Sequence, residues 1–177
     1  DTLQARINGY LQLNGNKYPA QAIHRIDYET SGLVLFCKHP FFQAYCDKSM
    51  EEHHIKKDYI ALVQGHTNYK NKKIVSNIAR DRHNAKKMIV HPNGKESISI
   101  FNTLKNYKDY SLIQVTILTG RKHQIRVQCA SLNHPILNDS LYGGKRIDNT
   151  GLLLQSHHIQ FNDIDITCPQ EKRFIRK

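Results

Sequence analysis

The chain has 177 residues, 39% of them hydrophobic and 23% charged, globular values that exclude wholesale disorder and fit one domain with a real core. Lys and Arg number 26 against 15 Asp and Glu, a net charge of +11 that points to a polyanionic partner, nucleic acid ahead of a membrane surface. No apolar run reaches the roughly 20 residues of a membrane span, no signal-peptide layout opens the chain, and Cys37, Cys46, Cys129 and Cys168 form no CxxC pair, so reduced thiols in a cytoplasmic protein are expected rather than a zinc ribbon or disulfide framework.

In chain order, Asp1 is placed as the N-cap of a helix in which Leu3, Ile7 and Leu11 recur at helical spacing until Asn14-Gly15-Asn16 stops it. A polar turn, Asp27–Gly32, leads into a short apolar strand, Leu33–Cys37. Pro40 suits the first position of a helix running to about Met50, with Phe41, Phe42, Ala44 and Tyr45 as its apolar face. Ile55–Val63 reads as a strand, and 87–90 and 96–104 read as a hairpin around Pro92-Asn93-Gly94. Ser111–Leu118 is apolar on both faces, as a central strand requires. A helix from about Arg121 to Leu132 follows, burying Ile125, Cys129 and Leu132 and setting His123 and Arg126 on one face, and short strands lie near 151–155, 158–161 and 164–167. Strands outnumber helices and adjoin through short turns, so the fold class is α+β with a largely antiparallel sheet.

Two elements concentrate the chemistry. In His24-Arg25-Ile26-Asp27-Tyr28-Glu29-Thr30-Ser31-Gly32-Leu33 an Asp stands before a turn and a buried strand, at a strand edge where a carboxylate can face a cleft; the plainer reading is an Asp that caps its own turn. Gly120-Arg121-Lys122-His123-Gln124-Ile125-Arg126-Val127 puts Arg and His where a helix starts, and helix N-terminal amides already favour anions, against the plainer reading of a solvated basic face. Residues 56–95 hold ten Lys or Arg and two acids, a net +8. They are either a solvated loop and hairpin or, as we favour, a rail for RNA phosphates that includes Lys72, Lys73, Lys86 and Lys87. No HExxH, Walker loop, GxGxxG or zinc-deaminase pattern occurs, and the side chains of the adjacent pairs His53-His54 and His157-His158 point apart, so no metal is expected. Asp27 and Glu29 make a poor glycosidase pair in a chain with no Trp to stack on sugar.

Taken together, His24-Arg25-Ile26-Asp27-x-x-Thr30-Ser31-Gly32-Leu33, Lys57-x-Tyr59-x-Ala61-Leu62-Val63, Gly120-Arg121-x-His123-Gln124-Ile125-Arg126-Val127 and His134-Pro135-Ile136-x-x-Asp139-x-Leu141-Tyr142-Gly143 resemble the RluA-type family of RNA pseudouridine synthases, in the family's order and approximate spacing over about residues 3–160. The resemblance implies a single catalytic domain over 1–177 with a bent, largely antiparallel mixed sheet flanked by helices and a central cleft. It makes Asp27 the carboxylate that acts at the sugar of a target uridine, so that the N-glycosidic bond breaks and the base rejoins through carbon 5, without cofactor or metal. Arg126 resembles the arginine that pairs with this carboxylate and favours its charged form. Tyr59 resembles the tyrosine that stacks under the base and assists loss of the carbon-5 proton; its alternative is a core aromatic. Arg25 matches a position that in some relatives fills the place of the flipped nucleotide, the alternative being a phosphate contact. Thr30, Arg121, His123 and Gln124 are assigned to the RNA-binding surface.

The sequence departs from the family where Gln128 replaces a common His, where Asn133 and Asn138 replace Gly, and where Gln155-Ser156 replaces a frequent His-Ala. These put loop geometry and substrate choice in question. The family's usual first strand and an S4-type RNA-binding domain are not seen before Asp1, so an open sheet edge is expected if that strand normally pairs. The expectation is a monomeric cytoplasmic enzyme that isomerises uridine to pseudouridine in structured ribosomal or transfer RNA. The alternative is a non-catalytic RNA-binding protein that keeps the fold, with a glycosylase or nuclease behind both.

Overall fold

A computed structural model describes residues 2–175. Helix α1 (Leu3–Leu13) is capped by Thr2, whose hydroxyl accepts the Ala5 N–H at 3.2 Å, while the expected cap, Asp1, lies outside the described residues. None of its residues is buried, so its apolar stripe only leans on the surface, where Asn8 Oδ1 accepts the Ala20 N–H at 2.9 Å.

The main sheet contains β2 (Ser31–Gly32), β4 (Lys56–Gln64), β5 (Lys72–Arg80), β6 (Met88–Val90), β7 (Lys95–Asn106), β8 (Tyr110–Ile117), β9 (Leu154–Phe161) and β10 (Ile164–Thr167). It runs in the order β10-β9-β4-β8-β7-β5-β6, with β2 laid parallel on β9; a separate pair joins β1 (Gln21–Ala22) to β3 (Phe36–Cys37). The α+β expectation holds, as does the central place of β8, whose partners β4 and β7 cover both its edges. Leu62, Phe101, Ile113, Ile136 and Leu153 are fully buried around this centre.

Helix α3 (Gln124–Ser131) packs on one face of the sheet through amides. Gln128 donates to Ser76 Oγ at 3.1 Å and to the Ser97 carbonyl at 3.2 Å, and accepts from Ser99 Oγ at 2.8 Å. This network is saturated and buried, so Gln128, the departure from a common His, faces the sheet and not a substrate. Asn133 and Asn138 have φ of 62° and 64°, the left-handed region that glycine enters freely and Asn tolerates best among other residues.

Several local expectations are corrected. Leu33–Cys37 is not one strand: the chain leaves β9 after Leu33, and its pairing passes to β1 at Phe36–Cys37. Residues 87–90 and 96–104 form no hairpin with each other, because β6 and β7 both pair with β5 and the Pro92-Asn93-Gly94 turn carries the chain across the end of that strand. A Cβ at Gly94 would lie 2.6 Å from backbone atoms of Ile78, so the crossing needs glycine. Strand β5 itself lies where the sequence suggests loop, because its apolar alternation is diluted by Lys, Ser and Asn. After a single 3-10 turn at Pro40–Phe42, helix α2 (Gln43–Glu51) buries Cys46 and Ser49, whereas Phe41, Phe42 and Tyr45 face outward. The separate strands expected at 151–155 and 158–161 are one strand, β9, with an irregularity opposite Asp58 and Tyr59.

On β9, His158 sits between two carboxylates: Nδ1 is 2.9 Å from Asp58 Oδ2 and Nε2 is 2.8 Å from Asp165 Oδ1. Asp165 foremost, with Asp58 behind it, holds the His158 pKa above the ordinary histidine value despite burial. A folded-state pKa above the unfolded one means that this stabilisation is complete below about pH 6.5 and is lost as pH rises through the folded value. Urea unfolding of His158→Gln is therefore expected to show a shallower loss of stability above neutrality than the parent protein; an identical pH profile would remove the ion pairs from the account.

Candidate active site

The turn that carries Asp27 is closed by the Thr30 N–H donating to the Asp27 carbonyl at 2.9 Å. The next two residues, β2, lie parallel to β9, with Gly32 opposite Ser156 and the Leu33 N–H on the Ser156 carbonyl at 3.0 Å. Gly32 has φ +102°, and a Cβ there would collide with that carbonyl, which explains a glycine after Thr-Ser. Across β9 the same Ser156 pairs with Tyr59 of β4. One residue of β9 thus brings the Asp27 turn and Tyr59 together from distant parts of the chain.

Arg126 approaches from α3. Its Nη1 is 3.9 Å from Asp27 Oδ2, but its short bonds go elsewhere: Nε and Nη2 each donate at 2.8 Å to the two oxygens of Asp139. Both members of that bidentate pair are buried. Burial alone would push the Arg126 guanidinium down, but the bonds and charge of Asp139, with that of Asp27, outweigh it and raise its pKa. Tyr142 lies under the guanidinium, 5.0 Å from ring centre to Cζ. The Tyr142 hydroxyl accepts the Met88 N–H at 2.9 Å, which leaves its proton for His123 Nδ1, 2.8 Å away. Burial lowers the His123 pKa, consistent with a neutral ring that accepts this bond.

Asp139 stands in a sequence motif that by itself suggests no role for it, and the structure shows why that motif is shaped as it is. Residues 134–137 run beside the end of β4, the Leu137 N–H donating to the Leu62 carbonyl at 2.8 Å and the Gln64 N–H to the Pro135 carbonyl at 3.0 Å. Asn138, in the left-handed region, then turns the chain so that Asp139 points inward; its amide donates to Asp148 at 2.8 Å and to the Gly151 carbonyl at 2.9 Å. The Gly144 N–H returns to the Asp139 carbonyl at 2.8 Å, and a Cβ at 144 would strike the Ile136 carbonyl. An Asp directly after Asn138, with Gly143-Gly144 a few residues on, was the available signal.

In front of these groups lies an open cleft of about 270 Å³. Asp27, Tyr59, Arg25, Thr30, Arg121, His123 and Gln124, all picked from the sequence, line it, while Arg126 stands behind Asp27. Tyr59 is buried, and burial, with the nearby Asp27 charge adding, pushes its phenol up to about 12, so it stays protonated at neutral pH. The expected helix from Arg121 begins only at Gln124: Lys122 and His123 form a turn, closed by the Gln124 N–H on the Arg121 carbonyl, and His123 takes φ 55°, so His123 and Arg126 do not share a helix face. Gln124 lines the cleft with its side chain already engaged. Its carbonyl oxygen accepts from Thr119 Oγ1 and the Arg121 N–H, and its amide donates to the Ile98 carbonyl and Ser99 Oγ, leaving it to hold the Arg121 turn in place. Lys72, Lys73, Lys86 and Lys87 lie outside the cleft. Lys72 covers Tyr69, near the start of β5, whereas Lys87 Nζ is 5.6 Å from the ring of Tyr142. Among the described residues, no cluster of three His, Cys, Asp or Glu could hold a metal, and no helix is long and apolar enough to cross a membrane.

The fold is that of pseudouridylate synthase domains: superposition on human RNA pseudouridylate synthase domain containing 1 gives a TM-score of 0.79 at 23% identity, covering 93% of this chain and 75% of that one. Human RNA pseudouridylate synthase domain containing 4 gives 0.75 at 18% identity, covering 93% and 77%. The RNA pseudouridylate synthase family matches residues 2–131, and the chain belongs to that family. It is 39% identical over 145 residues to the uncharacterized RNA pseudouridine synthase YhcT of Bacillus subtilis, covering 81% of this chain and 48% of that protein. It is 34% identical over 170 residues to ribosomal large subunit pseudouridine synthase D of Borreliella burgdorferi (93% and 51%), and 39% identical over 175 residues to ribosomal large subunit pseudouridine synthase C of Buchnera aphidicola (90% and 55%). The chain spans about half the length of these relatives.

Proposed function

We propose that this chain carries the catalytic unit of an RNA pseudouridine synthase, acting on structured RNA, with ribosomal RNA the first substrate to test. The observation that carries the reading is a carboxylate, Asp27, held in a cleft of basic side chains beside a buried Arg126 whose orientation Asp139 sets. A protein that only binds RNA has no use for an acid there. Asp27 acts at C1′ of the target uridine as the C1′–N1 bond breaks, and positive character developing on the sugar is stabilised by its charge. The base then rejoins C1′ through C5, and the C5 hydrogen leaves to solvent while N1 gains a proton, so the isomerisation balances without a further reactant. Tyr59, protonated, supplies a ring for the uracil to lie on rather than a base, which narrows the expected role. Arg25 is exposed at the rim of the cleft, where it can occupy the vacated stack or hold a phosphate. The same reading takes the chain as a monomer working in the cytoplasm, in keeping with four unpaired cysteines.

The test is tritium release from large-subunit ribosomal RNA transcribed without modification and labelled at uridine C5. Release is expected; RNA binding with no release from any cellular RNA would make the chain a non-catalytic relative. The basic rail has its own check. Lys86→Gln with Lys87→Gln is expected to reduce the salt dependence of RNA binding by about one unit of log–log slope for each phosphate no longer held. Lys72→Gln with Lys73→Gln, farther from the cleft, is expected to reduce it less. Unchanged slopes would leave these lysines a role in solubility alone.

A further inference from the structure

Lys57 lies two residues before Tyr59 on β4, so both side chains point to the cleft face of the sheet, and both line the cleft. It is only 6% exposed. Its ammonium touches the Met50 sulfur at 3.5 Å, and no carboxylate lies within ion-pair distance of it among the described residues; Asp58, next in sequence, is taken by Lys56 at 3.5 Å. Buried charges are ordinarily paired, because removing an ion from water is costly. Burial alone acts on this group, pushing it down to about 8, so that it remains mostly charged at pH 7.

Two further polar groups face the cleft. His24 Nε2 accepts the Leu35 N–H at 3.1 Å, and burial, reinforced by Lys57 and opposed by the Arg25 backbone, pushes the ring down to about 4, so the neutral ring carries its proton on Nδ1. That Nδ1 makes no hydrogen bond to another side chain, and the Thr30 hydroxyl is buried with no partner. An ammonium, an imidazole N–H and a hydroxyl, all lining one cleft and each with a proton to donate, together suit a negatively charged acceptor.

We propose that Lys57, with His24 and Thr30 beside it, is the group that holds an oxyanion of the target nucleotide, and that the protein keeps an unpaired buried ammonium because its counter-charge arrives with the RNA. This rests on the reading of the cleft as a pseudouridine synthase site. The oxyanion has two candidate sources, a phosphodiester oxygen next to the uridine or a uracil oxygen that gains charge as the glycosidic bond breaks.

The experiment compares the parent protein with Lys57→Met, which keeps the length of the side chain and removes its charge, using the C5-tritiated ribosomal transcript. The variant is expected to melt at a higher temperature, since an unpaired buried charge is gone, and to lose at least about tenfold at pH 7 in either affinity or single-turnover rate. Loss of affinity with an unchanged rate identifies the phosphodiester; loss of rate with unchanged affinity identifies the uracil oxygen. The parent protein supplies a second readout without a variant: its own affinity or rate is expected to fall about fivefold between pH 8 and pH 9 as an ammonium titrating at about 8 discharges. A lower melting temperature in Lys57→Met, or changes of less than about twofold in both affinity and rate together with a flat pH profile, overturns the proposal. If the parent protein itself releases no tritium, the functional reading falls, while the binding and melting measurements still decide whether Lys57 awaits an anion.

Discussion

Asp27→Asn is expected to abolish tritium release, by about 10⁴-fold or more, while RNA binding is unchanged or slightly tighter. The substitution preserves the size of the side chain and the turn closed by Thr30, because that bond uses the Asp27 backbone carbonyl. It removes only the charge facing the cleft, and removing a negative charge among basic groups cannot weaken the hold on phosphates. Arg126 stays in place in the variant, since its two short bonds go to Asp139. Loss of turnover with the fold and RNA affinity intact therefore isolates the chemical role of the carboxylate. Substantial turnover in Asp27→Asn would sink the mechanism.

Asp139→Asn is expected to damage both stability and turnover, although Asp139 does not line the cleft. Its carboxylate is fully buried and accepts two charge-assisted bonds from Arg126. Neutralising one member of such a pair leaves a buried guanidinium without its counter-charge, which costs about 3–5 kcal/mol. Urea unfolding measures that loss. Arg126 would then be free to close on Asp27, shortening the 3.9 Å separation and turning a poised carboxylate into a bound one. Adding Arg126→Met to Asp139→Asn is expected to recover part of the stability, because an apolar side chain replaces the stranded charge, and none of the turnover. Recovery of turnover in the double variant would show that Arg126 and Asp139 serve folding alone.

The elements legible in the sequence were those with strong local signals. Pro40 opening a helical segment, the unbroken apolar run of β8 and the β4 strand needed nothing beyond propensity and pattern. Strand β5 was not legible because its alternation is interrupted by Lys, Ser and Asn, and those polar residues make sense only once Gln128 of α3 is seen to bond Ser76. The outward turn of Phe41, Phe42 and Tyr45 escaped for the converse reason: apolar residues point inward by default, although the burying partner of α2 lies elsewhere, at Cys46 and Ser49. Of the candidate site, Asp27, Tyr59, Arg126, the buried Thr30 and the more exposed Arg25, Arg121 and His123 were picked out from the sequence, because short motifs mark them and the family order ties the motifs together.

The sequence by itself determined the candidate carboxylate, the basic segment at 56–95 and the polar turn Asp27–Gly32, since each is a matter of residue type and neighbours along the chain. Only the tertiary structure decided which charges meet. It gave Arg126 to Asp139 before Asp27, set Gln124 to supporting the Arg121 turn, and separated Lys57 from the nine other basic residues of its segment by burying it in the cleft. The physical reason is that a side chain's partner depends on strand register and on what lies across the sheet. Ser156 of β9, with Gly32 on one side and Tyr59 on the other, brings the Asp27 turn and Tyr59, 32 positions apart, into one cleft.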